Sequence, residues 1–276
     1  SADPSRLAGP VYDLEQRLPD HEAAGDRSLA LAARATQIRL SYLFGRADLA
    51  LPMADAALAD IDAHQGMYCN VSELLFDALV RLACVTGVTP RQRRRLLRQA
   101  ARHQALLKRW AKANPVNFLN KVHLLEAERL RVHGREFDAQ HHYDEARRLA
   151  LEHGFTAEAA IAAELCGLMH WRAGREPVAL AYLDDARALY RRWGAQAKVA
   201  DLERRFPRLK KAADRPADKR AGSALASADF ASLIKALKAI ADEQALSRMV
   251  ETIIATAMEF AGAQRGVLIL RNTGGQ

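Results

Sequence analysis

Residues 133–154 read HGREFDAQHHYDEARRLALEHG, and residues 173–194 read AGREPVALAYLDDARALYRRWG. Laid over each other at an offset of 40, they match at Gly134/Gly174, Arg135/Arg175, Glu136/Glu176, Ala139/Ala179, Asp144/Asp184, Ala146/Ala186, Arg147/Arg187, Leu149/Leu189 and Gly154/Gly194. A segment written twice at a fixed period marks a unit that cannot bury its apolar face alone and must stack on a copy of itself.

Each copy has the same grammar. One helical pattern stops at Gly134 or Gly174, and another starts at once and stops at Gly154 or Gly194. Glycine accepts the left-handed conformation just past a helix end without a Cβ penalty, so these four glycines read as helix stops. Ala139/Ala146 and Ala179/Ala186 share a helix face two turns apart, with Tyr143 and Leu183 supplying bulk between them. The spacing recurs upstream at Gly45, Ala50 and Ala57, and a further helix from Val71 to Thr86 stops at Gly87 before restarting at Thr89–Pro90. The pattern predicts four helical hairpins, at 27–63, 70–112, 116–153 and 156–193, and a short helix ending before Pro207.

Composition agrees. The chain is 50% hydrophobic but only 6% aromatic, and Ala and Leu, the best helix formers, dominate. An all-α protein follows. Cys69, Cys84 and Cys166 have no CxxC spacing and read as core fillers in a reducing compartment. No apolar run approaches the roughly 20 residues of a membrane span, and SADPSRLAGP lacks a signal-peptide core, so the expected location is cytoplasmic. The net charge of +8 favours anionic partners, nucleic acid or acidic protein.

The small–bulky–small series Ala179, Leu183, Ala186, with Gly167 as the small residue of the preceding helix, resembles the tetratricopeptide repeat. That implies a right-handed superhelix of antiparallel hairpins, although the period of 40 exceeds that family's usual value of about 34. WAKANPVNF at 110–118, LLEAE at 124–128, Tyr143-Asp144, and Tyr190, Trp193-Gly194-Ala195 and Lys198 resemble a narrower group: the helical region of large bacterial signalling proteins that join an ATPase domain to a GAF domain and a histidine kinase. Residues 229–270 look like a connector helix and the opening of a GAF domain. The chain then divides into a repeat array at 1–209, a charged, Ala-, Gly- and Pro-containing linker without an apolar period at 210–228, and, as the resemblance implies, connector helices at 229–262 and the first strand of a truncated GAF domain at 263–276. The apolar stripe opening 229–262 is spaced by threes and fours, as in a coiled-coil seam, and predicts a homodimer through these helices.

Other features carry less chemistry. Arg91, Arg94, Arg98 and Arg102 form one stripe of a basic helix over 89–110. Without interleaved aromatics it reads as a solvated face rather than a nucleic-acid site, leaving an anion or partner contact as its functional reading. Asp138, His142 and Glu145 share a helix face at i, i+4, i+7, but with no HExxH or Cys/His spacing they read as surface groups, and no metal is expected. The SxxK match at Ser232–Lys235 and the Asn70-Val-Ser72 triplet have no supporting context. No phosphate loop or nucleophile–base arrangement occurs, so no catalytic residue and no cofactor is expected. The function expected is a non-catalytic sensing or scaffolding module that binds protein, either another domain of the same polypeptide or a separate partner. The alternatives are an effector-binding region of an ATPase-class transcription activator and nucleic-acid binding through 89–110.

Overall fold

The computed structural model describes residues 3–64, 67 and 69–209, whose regular structure is helical apart from one isolated β-bridge between Ala8 and Asp13. The α-helices are α1 (Leu14–Ala23), α2 (Arg27–Leu43), α3 (Ala47–Ala57), α4 (Cys69–Ala83), α5 (Pro90–Ala113), α6 (Pro115–Val132), α7 (Glu136–Glu152), α8 (Thr156–Arg172), α9 (Glu176–Trp193) and α10 (Gln196–Arg205). A 3-10 helix covers Ile61–His64. The linker, connector helices and GAF strand expected over 210–276 lie outside the described residues. No described helix is long and apolar enough to cross a membrane.

One turn is used repeatedly. Gly25, Gly45, Gly87, Gly134, Gly154, Gly174 and Gly194 all have positive φ, between 68° and 88°. At six of them the residue after the glycine donates its N–H to the carbonyl five residues back, as in Arg135 to Leu130 at 3.0 Å and Phe155 to Ala150 at 2.7 Å. This 6→1 bond satisfies a carbonyl that the helix end would otherwise orphan and turns the chain within three residues. The sequence reading missed α1, which Asp13 caps by accepting from the N–H groups of Glu15 and Gln16. An internal Pro19 and a single buried residue, Leu14, hide it from any apolar periodicity.

Each helix packs on the next, and α2, α4, α6 and α8 also pack on one another, forming an inner row. The junction at 110–118 joins two long helices with almost no loop. Asn114 ends α5 and caps α6 by accepting from the Asn117 N–H at 3.2 Å, Pro115 opens α6, and Trp110 lies against Phe118 with ring centroids 5.6 Å apart. An aromatic pair straddling the cap fixes the entry angle of the chain.

The tightest helix contact is between α8 and α9. A Cβ on Gly167 would stand 2.8 Å from Leu183 Cγ and 3.1 Å from the Ala179 carbonyl oxygen. Gly167→Ala therefore forces two backbones apart. We expect the overpacking cost of about 1–3 kcal/mol to outweigh the roughly 1 kcal/mol that Ala gains in a helix. The variant should show a lower urea midpoint, and an unchanged midpoint would mean that α8 and α9 have room to spare.

A second expectation concerns acid stability. Burial pushes the Glu126 carboxyl up, but the Arg129 guanidinium, the Gln104 amide and the Lys108 ammonium outweigh burial and hold it at about 2. Folding thus favours the ionised form. Its contribution is complete above the ordinary glutamate value of 4.5 and is lost as pH falls toward about 2. Glu126→Gln should lose stability near neutrality and show a flatter stability profile across that window. Identical acid limbs in urea melts of the two proteins would refute this.

Candidate functional site

Buried carboxylates on the inner helices are each neutralised by a partner from a neighbouring turn or helix. On α4, Asp77 accepts from Arg81 Nε at 2.7 Å and contacts His103 Nε2 of α5 at 2.8 Å. On α6, Glu128 takes two 2.8 Å hydrogen bonds from Arg131 and one from the Tyr143 hydroxyl of α7. On α8, Glu164 accepts from the Tyr190 hydroxyl of α9 and from Lys198 Nζ of α10, both at 2.7 Å. Burial raises the Glu128 carboxyl, but Arg131 and Tyr143 bring it below the ordinary range. Burial also pushes the Tyr143 and Tyr190 hydroxyls well up, and their glutamates push them further, so both stay protonated donors.

Lys198 joins the two ends of the array. Its buried ammonium also donates to the Leu43 carbonyl at the end of α2, and Asp201 Oδ2 lies 3.5 Å away. Three N–H donors thus meet three acceptors. The Phe44 and Tyr190 rings flank it at 5.6 and 5.7 Å.

Between the inner helices lies a cavity of about 510 Å³. Leu43, Ile161, Leu165 and Leu168 form its apolar wall, and Glu128, Glu164, Arg131, Arg172 and Arg205 supply its charges. Two polar groups in it stand apart. The Tyr42 hydroxyl is buried and has no hydrogen-bond partner among the described residues. Burial, reinforced by Glu128, keeps it protonated and therefore able to donate. Arg172 is exposed, and its side chain makes no ion pair within 4.0 Å and no hydrogen bond among the described residues, acting on Glu128 and Tyr42 through its charge alone. The carboxylates of the wall already have partners within the fold, so an acceptor group entering the cavity would meet a spare hydroxyl and a spare guanidinium.

The residues singled out in the sequence fall elsewhere. Ala50 and Ala57 on α3, Ala139, Tyr143 and Ala146 on α7, and Ala179, Leu183 and Ala186 on α9 are buried against the inner helices. Arg91, Arg94, Arg98 and Arg102 lie exposed on α5, where Arg102 reaches Gln99 at 3.3 Å. Asp138, His142 and Glu145 do not converge. Arg135 takes Asp138 at 2.7 Å, Arg148 takes Glu145, and His142 Nδ1 faces His123 Nδ1 at 2.8 Å. Cys166 is buried, and burial pushes its thiol up to about 12, but Cys69 is exposed and is no core filler. Tyr42 and Arg172 carried no periodic signal, because each belongs to a helix end whose neighbours come from distant turns. No family model, curated protein or solved structure matches the chain.

Lys198→Met tests the closure. It removes the ammonium and leaves the buried Glu164 with the Tyr190 hydroxyl and, at 3.6 Å, the Arg205 guanidinium. Breaking a buried pair from one side costs about 3–5 kcal/mol, so thermal and urea melts should show a large loss. A loss below about 1 kcal/mol, the range of exposed pairs, would mean that water or Arg205 takes the place of this lysine.

Proposed function

We propose that this chain is a non-catalytic binding module. Its hairpins stack as a TPR-like right-handed superhelix whose inner cavity takes a protein segment bearing a carboxylate beside an apolar side chain. The observation that carries this reading is the pairing of an orphaned Tyr42 hydroxyl with an uncommitted Arg172 beside an aliphatic wall. A carboxylate satisfies both groups through charge-assisted hydrogen bonds, and the aliphatic wall takes the neighbouring side chain. The cavity's own glutamates are tied to Arg131, Tyr143, Tyr190 and Lys198, which supports binding rather than acid–base chemistry.

In the wider setting implied by the resemblance, the segment belongs to another domain of the same polypeptide or to a partner protein. Its docking relays the state of an upstream ATPase-like domain to a GAF and histidine-kinase unit, in the cytoplasm.

The test uses fluorescein-labelled peptides with Asp or Glu beside Leu or Ile, set against Asn/Gln counterparts. Binding by anisotropy should favour the acidic peptides. Arg172→Glu and Tyr42→Phe should each weaken it, the former by roughly 10- to 100-fold, the value of one charged hydrogen bond. Equal affinity for acidic and amide peptides, or affinity indifferent to both substitutions, defeats the proposal. Steeply salt-dependent binding of single-stranded oligonucleotides, lost on neutralising Arg91, Arg94, Arg98 and Arg102, would move the function to α5 instead.

A further inference from the structure

The 3-10 helix Ile61–His64 lies in the link between α3 and α4. Three side chains with metal-binding donors meet at its end. His64 closes the 3-10 helix, Cys69 opens α4, and Glu73 follows one turn later on the same helix face. One donor atom from each lies within 4.8 Å of the other two.

His64 is held at both ring nitrogens. Nε2 lies 3.1 Å from the Ser28 backbone carbonyl and 3.1 Å from the Ser28 hydroxyl, so Ser28 can accept from an Nε2–H or donate to a bare Nε2. Nδ1 faces Glu73 Oε1 at 2.5 Å. With the hydrogen on Nε2, a neutral imidazole turns a lone pair toward the carboxylate, and a cation between the two resolves the contact. An Nδ1–H, on the other neutral tautomer or on an imidazolium, resolves it as well. It would, however, leave Glu73 Oε2, which is buried and unpartnered among the described residues, without a bond. It would also give the adjacent Cys69 thiol no part. Glu73 is only 7% exposed at its side chain, so its second oxygen has no recourse to solvent.

We propose that His64 Nδ1, the Cys69 thiolate and the Glu73 carboxylate bind zinc or a similar borderline divalent cation. The nitrogen, sulfur and oxygen donors suit that class, and the Nε2–H bond to a backbone carbonyl is the usual orientation of a ligating histidine. Metal–ligand bonds of about 2.0–2.3 Å in tetrahedral geometry require the His64–Glu73 pair to open by roughly 1 Å. The exposed Cys69 supplies the entry path, and three protein ligands leave a fourth position for water. The ion would pin the 3-10 helix to the first turn of α4.

The test is zinc and cobalt titration of the intact chain, with iodoacetamide labelling of the cysteines read by mass spectrometry. We expect stoichiometric binding, a thiolate-to-cobalt charge-transfer band, and zinc protection of Cys69 but not of Cys84. Cys69→Ala, at an exposed position that leaves the fold intact, should abolish the band. Glu73→Gln should weaken binding by at least roughly 10- to 100-fold. Cys84→Ala should change nothing. Absence of the band, its survival in Cys69→Ala, or a Glu73→Gln variant that is folded by circular dichroism and binds as tightly as the parent would each overturn the assignment. The contact would then be an Nδ1–H hydrogen bond to the Glu73 carboxylate.

Discussion

A buried ammonium joins the two ends of the helical stack. Lys198 on α10 is held by Glu164 of α8, by Asp201 one turn along its own helix and by the Leu43 carbonyl of α2. Removing a lysine from water is expensive, and only a full set of acceptors makes it tolerable. The arrangement therefore demands that α2, α8 and α10 all be in register at once. The cavity follows from the same demand, since Leu43, Glu164 and Arg205 line it and each sits beside this lysine or on a helix that the lysine holds.

The remaining buried charges obey the same logic on a smaller scale. Asp77 and Glu128 each meet partners from their own helix and from the next one along. Tyr143 is buried in the alanine-lined face of α7, and its hydroxyl reaches Glu128 of α6, so bulk and polarity are joined in one residue. Such groups contribute little net energy compared with apolar packing, but they penalise any stack that slips by a turn.

The repeat made much of this legible. Gly134, Gly154, Gly174 and Gly194 announce turns because their φ angles, +72° to +88°, favour a residue without Cβ. Ala139, Ala146, Ala179 and Ala186 announce contact faces because helix period places them together. Lys198, Glu128 and Tyr190 belong to the stretches that carried the family resemblance, and they turn out to be the buried ionic framework. Period could not reveal the cavity, whose Tyr42 and Arg172 stand 130 positions apart by number and meet only through stacking. A shared face does not bring donors together. Asp138, His142 and Glu145 share one, yet each is drawn to a different neighbour, while His64, Cys69 and Glu73 converge from a 3-10 helix and the start of α4.

The hydrogen bond from Lys198 to the Leu43 carbonyl spans 155 positions of chain. Every other step in the stack closes a short loop, and a linear array of local hairpins can nucleate at any turn and grow outward. This bond can form only after the intervening helices have stacked. A contact made that late stabilises the finished molecule more than the barrier to its formation, and so slows opening more than it speeds assembly.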